Sequence, residues 1–195
     1  MEYAKQSTPL PVLNPYFELH LLLLRQNIPA NDLTQIRRKL VASYAWAVPS
    51  PDAIQLISEH GPIIELGAGT GYWQFCLRQM GVDILSYDRN PSAPPHWSPV
   101  QAGDETVLND PRSPLHQRSL FLCWPPLDEP LAFRALELYR GETVVEIGEP
   151  GGGRTGTLDF SQALEARWTP VAKLALPQWP GFRDELRIWT RSPRP

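Results

Sequence analysis

The chain predicts an α/β domain: a three-layer, doubly wound, mostly parallel sheet with a closing antiparallel pair and a helical N-terminal extension. Three observations carry this. Apolar β-forming runs alternate with amphipathic helical stretches from Pro62 to Trp168, which is the pattern of β-α-β units. The first run passes directly into alternating glycines and then into a helical stretch. The last two runs are joined by a segment too short for a crossover helix, so they can pair antiparallel.

The elements follow in order. Residues 1–13 read as an irregular lead with Pro9 and Pro11, and Tyr16 to Gln26 has helix-forming character. Asn31 can cap a second helix in which Leu33, Ile36 and Leu40 share a face. The basic run Arg37-Arg38-Lys39 reads as the solvated face of that helix. Ser50-Pro51-Asp52 is a start signal: a cap, a proline in the first turn and an acid near the positive end. That helix should end at Gly61. Pro62–Leu66 is the first strand. Tyr72–Met80 is a helix with Trp73, Leu77 and Met80 on one side and Gly81 as its stop. Val82–Asp88 is the second strand, and a Pro-rich loop from Asn90 to Pro99 leads to a weak third strand, Pro99–Gln101. Ser119–Cys123 is a clear apolar strand. Asp128 to Arg140 is a helix, with Leu131, Ala135 and Leu138 on one face, ending at Gly141. Thr143–Ile147 is the fifth strand, Thr157 to Trp168 a helix, and Pro170–Leu176 and Glu185–Thr190 the last two strands. Residues 1–49 form a helical extension or lid; residues 50–195 form the body of a single domain.

Composition narrows the function. A length of 195 residues fits one domain, and a hydrophobic fraction of 42% supports a packed core. The net charge of −3 gives no basic footprint for nucleic acid. Two cysteines, Cys76 and Cys123, make neither a disulfide framework nor a zinc site, and the four histidines show no metal spacing, so no metal is expected. His96 and His116 fall in loops on the expected pocket side. Leu21 to Leu24 is far shorter than the roughly 18 apolar residues of a membrane span. The expectation is a cytoplasmic, reduced, soluble protein.

Ile63-Ile64-Glu65-Leu66-Gly67-Ala68-Gly69-Thr70-Gly71-Tyr72-Trp73 is the most informative stretch. A strand running into a glycine turn brings bare backbone close to a ligand. The opening N–H groups of the next helix can bind an anionic group. The spacing departs from the dinucleotide fingerprint, whose third position is small where this chain has Tyr72. Glu65 would repel a pyrophosphate and attract an ammonium, directly or through water. An acid about 20 residues beyond the glycines accepts ribose hydroxyls in nucleotide-binding units, and Asp88 stands at that distance.

The Glu-x-Gly-x-Gly-x-Gly pattern of Glu65 to Gly71 resembles motif I of the class I, seven-strand Rossmann-like methyltransferases that use S-adenosylmethionine. The likeness covers roughly residues 50–192. It implies that Glu65, Gly67, Ala68, Gly69 and Gly71 hold the methionine end of the cofactor and Asp88 its ribose. It also implies an adenine contact from an acid after the third strand, for which Asp104 is the better placed; a surface Gly-Asp turn is the alternative. Cys123-Trp124-Pro125-Pro126 occupies the position of motif IV, beside the methyl group. This places Cys123 among the cofactor contacts, although by itself it reads as a small core residue. The motif is reminiscent of the Asp/Asn-Pro-Pro-Tyr of amino-group methyltransferases, with Trp124 and Leu127 replacing the polar and aromatic positions. That departure argues against nucleobase amines; Trp124 could present a π face to a flat or cationic group, or lie in the core.

Two further segments are open to two readings. Glu146-Ile147-Gly148-Glu149-Pro150-Gly151-Gly152-Gly153-Arg154-Thr155-Gly156 superficially repeats motif I. It is a pocket rim, with Glu149 as base or substrate anchor and Arg154 adding charge, or a mobile surface loop. Tyr44 and Trp46 can fold over a cofactor or pack on the sheet, and packing is favoured for Trp46. No catalytic group is fixed by the sequence; Trp124, Glu149 and Tyr44 are the candidates. The expected activity is methyl transfer to a small-molecule or peptide acceptor. A non-catalytic subunit with the same fold, a nucleic-acid methyltransferase and a nicotinamide-dependent oxidoreductase are the alternatives.

Overall fold

A computed structural model describes residues 12–92, 96–151 and 153–193. Most of the expected irregular lead, with Pro9 and Pro11, the middle of the Pro-rich loop and Gly152 lie outside the described residues. Seven strands form one sheet: β1 (Ile63–Leu66), β2 (Ile84–Asp88), β3 (Gln101–Ala102), β4 (Ser119–Cys123), β5 (Thr143–Gly148), β6 (Trp168–Ala175) and β7 (Glu185–Arg191). Their spatial order is β3-β2-β1-β4-β5-β7-β6. The first five run parallel, and β7 is antiparallel to both β5 and β6. The order reverses between β1 and β4, which opens a crevice above the carboxyl ends of the central strands.

Side-chain alternation explains why the central strands β1, β4 and β5 are largely apolar. Ile63, Phe121, Val145 and Ile147 belong to one core cluster, and Ile64, Leu120, Leu122 and Val144 belong to the other. Successive residues face opposite sides of the sheet, so a strand covered on both faces reads as a continuous hydrophobic run. Each fully buried side chain of this size contributes roughly 1.5–3 kcal/mol through removal from water.

The helices are α1 (Pro15–Leu24), α2 (Ala30–Ser43), α3 (Pro51–Ser58), α4 (Tyr72–Gln79), α5 (Leu131–Leu138) and α6 (Leu158–Arg167). Ser50 caps α3 through its hydroxyl, with Pro51 in the first turn, as its sequence predicts. Thr157 caps α6 in the same way. Several boundaries differ from expectation, among them Trp168, which opens β6 rather than closing α6, and Ile84, where β2 starts two residues late. Asn14, followed by Pro15, is the cap that starts α1. The second helix starts one residue after Pro29, without a side-chain cap, so Asn31 lies inside it. The fifth begins only after Pro130 rather than at Asp128. The third strand is two residues long and starts two residues after Pro99, at Gln101.

The N-terminal helices share the first core cluster rather than standing apart. Tyr16 and Leu33 are buried in it beside Ile54, Tyr72 and Trp179. Tyr72 explains its own size: its hydroxyl donates to Asn14 Oδ1 at 2.8 Å and accepts from the Tyr16 amide at 3.0 Å. The Asn14 amide group reaches the Pro49 carbonyl at 2.7 Å. The large residue at the start of α4 therefore bolts the N-terminal segment to the sheet.

Candidate functional site

A cleft of about 670 Å³ opens where the strand order reverses. Its floor is the end of β1 and the glycine turn, from Glu65 to Thr70. Asp88, Arg89 and Asn90 form one side, and Cys123, Pro125 and Pro126 extend the floor beyond β4. The C-terminal half of α2 and its exit, with Arg37, Tyr44 and Trp46, form the facing wall.

The turn is built by its glycines. Gly67, Gly69 and Gly71 have φ values of +76, +54 and +75°, a region that costs an L side chain about 1–2 kcal/mol. At Gly67 and Gly69 an added Cβ would meet nothing within 4 Å. Their missing side chains leave free space. At Gly71 a Cβ would stand 2.7 Å from the Ser98 carbonyl, so this glycine is required by packing as well. The amides are partly engaged: Gly67 and Ala68 both donate to the Tyr87 carbonyl, at 2.9 and 3.1 Å.

Two carboxylates flank the turn. Asp88 accepts from the Gly69 amide at 2.8 Å and the Asn90 amide at 2.9 Å. A carboxylate has about four lone-pair sites, so two remain for a ligand's hydroxyls. Glu65 is 2% exposed and accepts from the Ser86 hydroxyl at 2.6 Å, its register partner on β2. No cation of the described residues forms an ion pair with it. Burial lifts its carboxyl to about 7, opposed by the Ser86 hydrogen bond and helped by the charge of Asp88.

The wall is fastened to the turn. The Thr70 hydroxyl donates to the Tyr44 carbonyl, and the Trp97 indole donates to the Ser43 carbonyl at 2.6 Å. The Tyr44 ring stacks on Tyr16 and Trp97, with centroids 4.9 and 5.2 Å away.

The comparisons agree with this architecture. A TehB-like SAM-dependent methyltransferase from Corynebacterium glutamicum superposes with a TM-score of 0.52 at 18% identity, over 84% of this chain and 98% of that one. The 1,6-didemethyltoxoflavin-N1-methyltransferase of Burkholderia thailandensis, with 1,6-didemethyltoxoflavin and S-adenosylhomocysteine bound, gives 0.51 at 15%, over 86% and 92%. Magnesium protoporphyrin IX methyltransferase from Synechocystis PCC 6803, with SAM bound, gives 0.50 at 9%, over 92% and 93%. No family model and no curated protein matches the sequence. This is the class I, Rossmann-like methyltransferase fold.

Within that methyltransferase fold the remaining predicted residues take distinct places. Asp104 does not line the cleft. Its carboxylate caps the turn after β3, accepting from the Thr106 amide and hydroxyl at 3.0 and 2.6 Å, which holds it below the usual carboxylate range. Cys123 does line the cleft, and burial pushes its thiol up, against nucleophilic use. Trp124 has φ of +53°, the positive value among described non-glycine residues. It is held there by its amide to the Ile147 carbonyl at 2.7 Å, its indole to Asp184 Oδ1 at 2.7 Å, and stacking on Trp46 at 5.0 Å.

The second glycine-rich loop is closed on itself, contrary to a role for Glu149 as a free base. Both Glu149 oxygens accept backbone amides, from Arg154 and Arg183, each at 3.0 Å, and Arg154 adds an ion pair at 3.5 Å. His116 is also elsewhere: it is buried in a turn, bonded to the Asp110 carbonyl and the Arg140 amide. His96 lines the cleft. Sequence reading missed three residues here. Arg37 is 5% exposed rather than solvated, and Trp46 is 50% exposed rather than packed on the sheet. Asp184 is buried, with its carboxyl pushed up to about 6 chiefly by burial. Among the described residues no helix is long and apolar enough to cross a membrane.

Proposed function

We propose that the chain binds S-adenosylmethionine in this cleft and transfers its methyl group to a small-molecule or peptide acceptor. The observation that carries the reading is Glu65: a buried carboxylate at the cleft floor that forms no ion pair with a cation of the described residues. It sits next to a turn whose two open glycines leave unfilled space. The ammonium of the methionine moiety fits the first, its backbone the second, and ribose hydroxyls the free lone pairs of Asp88. That solved neighbours of the same fold hold S-adenosylmethionine or its demethylated product supports the same assignment.

The cofactor supplies an electrophilic methyl group on a sulfonium. The chain's own residues then have to bind, orient and exclude water. The turn from Gly67 to Gly71 fixes one end of the cleft. Cys123, Pro125 and Pro126 present an apolar floor beyond β4, and the wall of α2 with Trp46 covers it. Displacement in line needs little acid–base help, which fits a site without a catalytic dyad. Where the acceptor nucleophile carries a proton, Glu129 and His96 are among the cleft-lining groups able to receive it.

Calorimetry tests this directly. S-adenosylhomocysteine is expected to bind in the micromolar range and NADH not at all. The reverse result would sink the reading. Incubation of labelled S-adenosylmethionine with extract fractions, followed by mass analysis, identifies the acceptor; binding without transfer to any fraction would instead mark a non-catalytic subunit.

A further inference from the structure

We infer that Arg37 anchors a carboxylate carried by the methyl acceptor, beside a flat ring that lies against Trp46. This rests on the methyltransferase reading above. Arg37 lines the cleft and is 5% exposed. Its single hydrogen bond among the described residues runs from Nη2 to the Trp46 carbonyl, at 3.3 Å. Its Nε is buried without a partner. No carboxylate of the described residues forms an ion pair with it. A buried, unpaired charge is unfavourable, and burial accordingly lowers the proton affinity of this guanidinium.

The neighbouring charged groups do not pair with it. Asp184 is close enough to feel the charge, but one of its oxygens accepts the Trp124 indole and the other has no partner. Arg154 is spent on Glu149 and on the Gly181 carbonyl at 2.8 Å. The face of the Arg37 guanidinium is occupied as well: it lies 3.7 Å from the centroid of Phe182 and 5.2 Å from that of Trp124. Stacking on a ring takes the face of a guanidinium and leaves its edge. The edge is the part that matches a planar carboxylate with two parallel hydrogen bonds.

The position separates this site from the end that would hold the methyl donor. Glu65, the glycine turn and Asp88 stand at the ends of β1 and β2. Arg37 stands among Trp124, Phe182 and Asp184, which follow β4 and precede β7. Trp46, half exposed and lining the cleft, offers the flat apolar surface next to it. An aromatic or heteroaromatic acid satisfies both features at once.

The test is a titration at saturating S-adenosylhomocysteine, read by calorimetry and tryptophan fluorescence. The probes are benzoate, indole acetate and naphthoate, each against its neutral amide. The wild type is expected to prefer the acids by about tenfold or more. Arg37→Gln should lose that preference to within twofold and Arg37→Lys should keep part of it, with S-adenosylhomocysteine affinity within threefold in both. Three results would overturn the inference: no preference for acids across the panel, a preference that survives Arg37→Gln, or a variant that weakens S-adenosylhomocysteine while sparing methylthioadenosine. The last would assign Arg37 to the donor's own carboxylate. Should Arg37→Gln not fold, the wild-type comparison of acid with amide and the Arg37→Lys variant decide. Failure of the wild type to bind S-adenosylhomocysteine would instead defeat the methyltransferase reading, before any acid is added.

Discussion

The two glycine-rich turns of this molecule are alike in sequence and opposite in construction. Each follows a central strand and each is preceded by a buried glutamate, Glu65 or Glu146. In the first turn, Gly67 and Gly69 face empty space, and the glutamate has a hydroxyl for company but no ion pair among the described residues. In the second, the space a Cβ would need at Gly148 and Gly153 is filled by Thr155 and Glu149. Its glutamate, Glu146, is paired with the Arg187 guanidinium and accepts from the Trp189 indole, both at 2.9 Å. The acid of the second loop, Glu149, is occupied by the loop's own Arg154 amide and by the Arg183 amide from the connection before β7. Glycines at a strand end thus mark a ligand site only when the protein leaves the space and the charge beside them unanswered.

The sharpest way to break this contrast is to add side chains. Gly67→Val should lower S-adenosylhomocysteine affinity more than about 100-fold, by strain at positive φ and by filling the cleft, with a small change in Tm. Gly148→Val should do the opposite, lowering Tm by roughly 10 °C through displacement of Thr155 and leaving affinity within about threefold. Calorimetry and thermal melts on the two variants would refute the contrast if both lost binding alike.

Asp88→Ala comes next. Loss of both ribose-facing oxygens should weaken S-adenosylhomocysteine by about 10- to 100-fold, with some added cost because the Gly69 and Asn90 amides lose their acceptor. Unchanged affinity would detach β2 from the cofactor site.

Glu65 gives a pH signature of moderate size. Its folded carboxyl titrates at about 7 against 4.5 unfolded. Between those values the unfolded chain has released a proton that the native protein keeps, so stability falls as pH rises, by about 3 kcal/mol in all, and levels off above 7. A ligand's ammonium favours the ionised form. S-adenosylhomocysteine affinity should therefore climb about fivefold from pH 6 to 8, methylthioadenosine should stay level, and Glu65→Gln should flatten both curves. A slope shared by both ligands would remove Glu65 from ammonium binding.

The smallest effect on binding belongs to Glu149→Gln. It weakens two charge-assisted bonds to amides, so melts should show a loss of about 1.5–3 kcal/mol while affinity stays within twofold. A large fall in affinity at unchanged Tm would return the second loop to the site.

Much of the fold was legible because local signals and tertiary context agree. Strands buried on both faces read as apolar runs, and the Ser50 and Thr157 caps start their helices where the chain says they should. The motif from Glu65 to Gly71 and its distance to Asp88 located the cleft. What escaped depends on contacts between distant parts of the chain. Arg37 sits in a basic run that reads as solvated, and only the arrival of Phe182 and Trp124 buries it. Glu149 has the composition of a site residue, yet amides from residues 154 and 183 occupy it. Asp104 followed a glycine as expected but turned to cap its own loop. The Asn14-Pro15 start of α1 was readable from cap chemistry alone and was overlooked.

The bonds from Thr70 to the Tyr44 carbonyl and from Trp97 to the Ser43 carbonyl tie the covering helix down at the glycine end, while ring contacts of Trp46 with Trp124 and of Arg37 with Phe182 hold its other side. Directional hydrogen bonds resist sliding and stacked rings permit it, so such a cover yields first toward Trp46. Visitors are then expected to come and go in sequence: the nucleoside-bearing partner enters first and leaves last, and the molecule it modifies exchanges through the looser doorway.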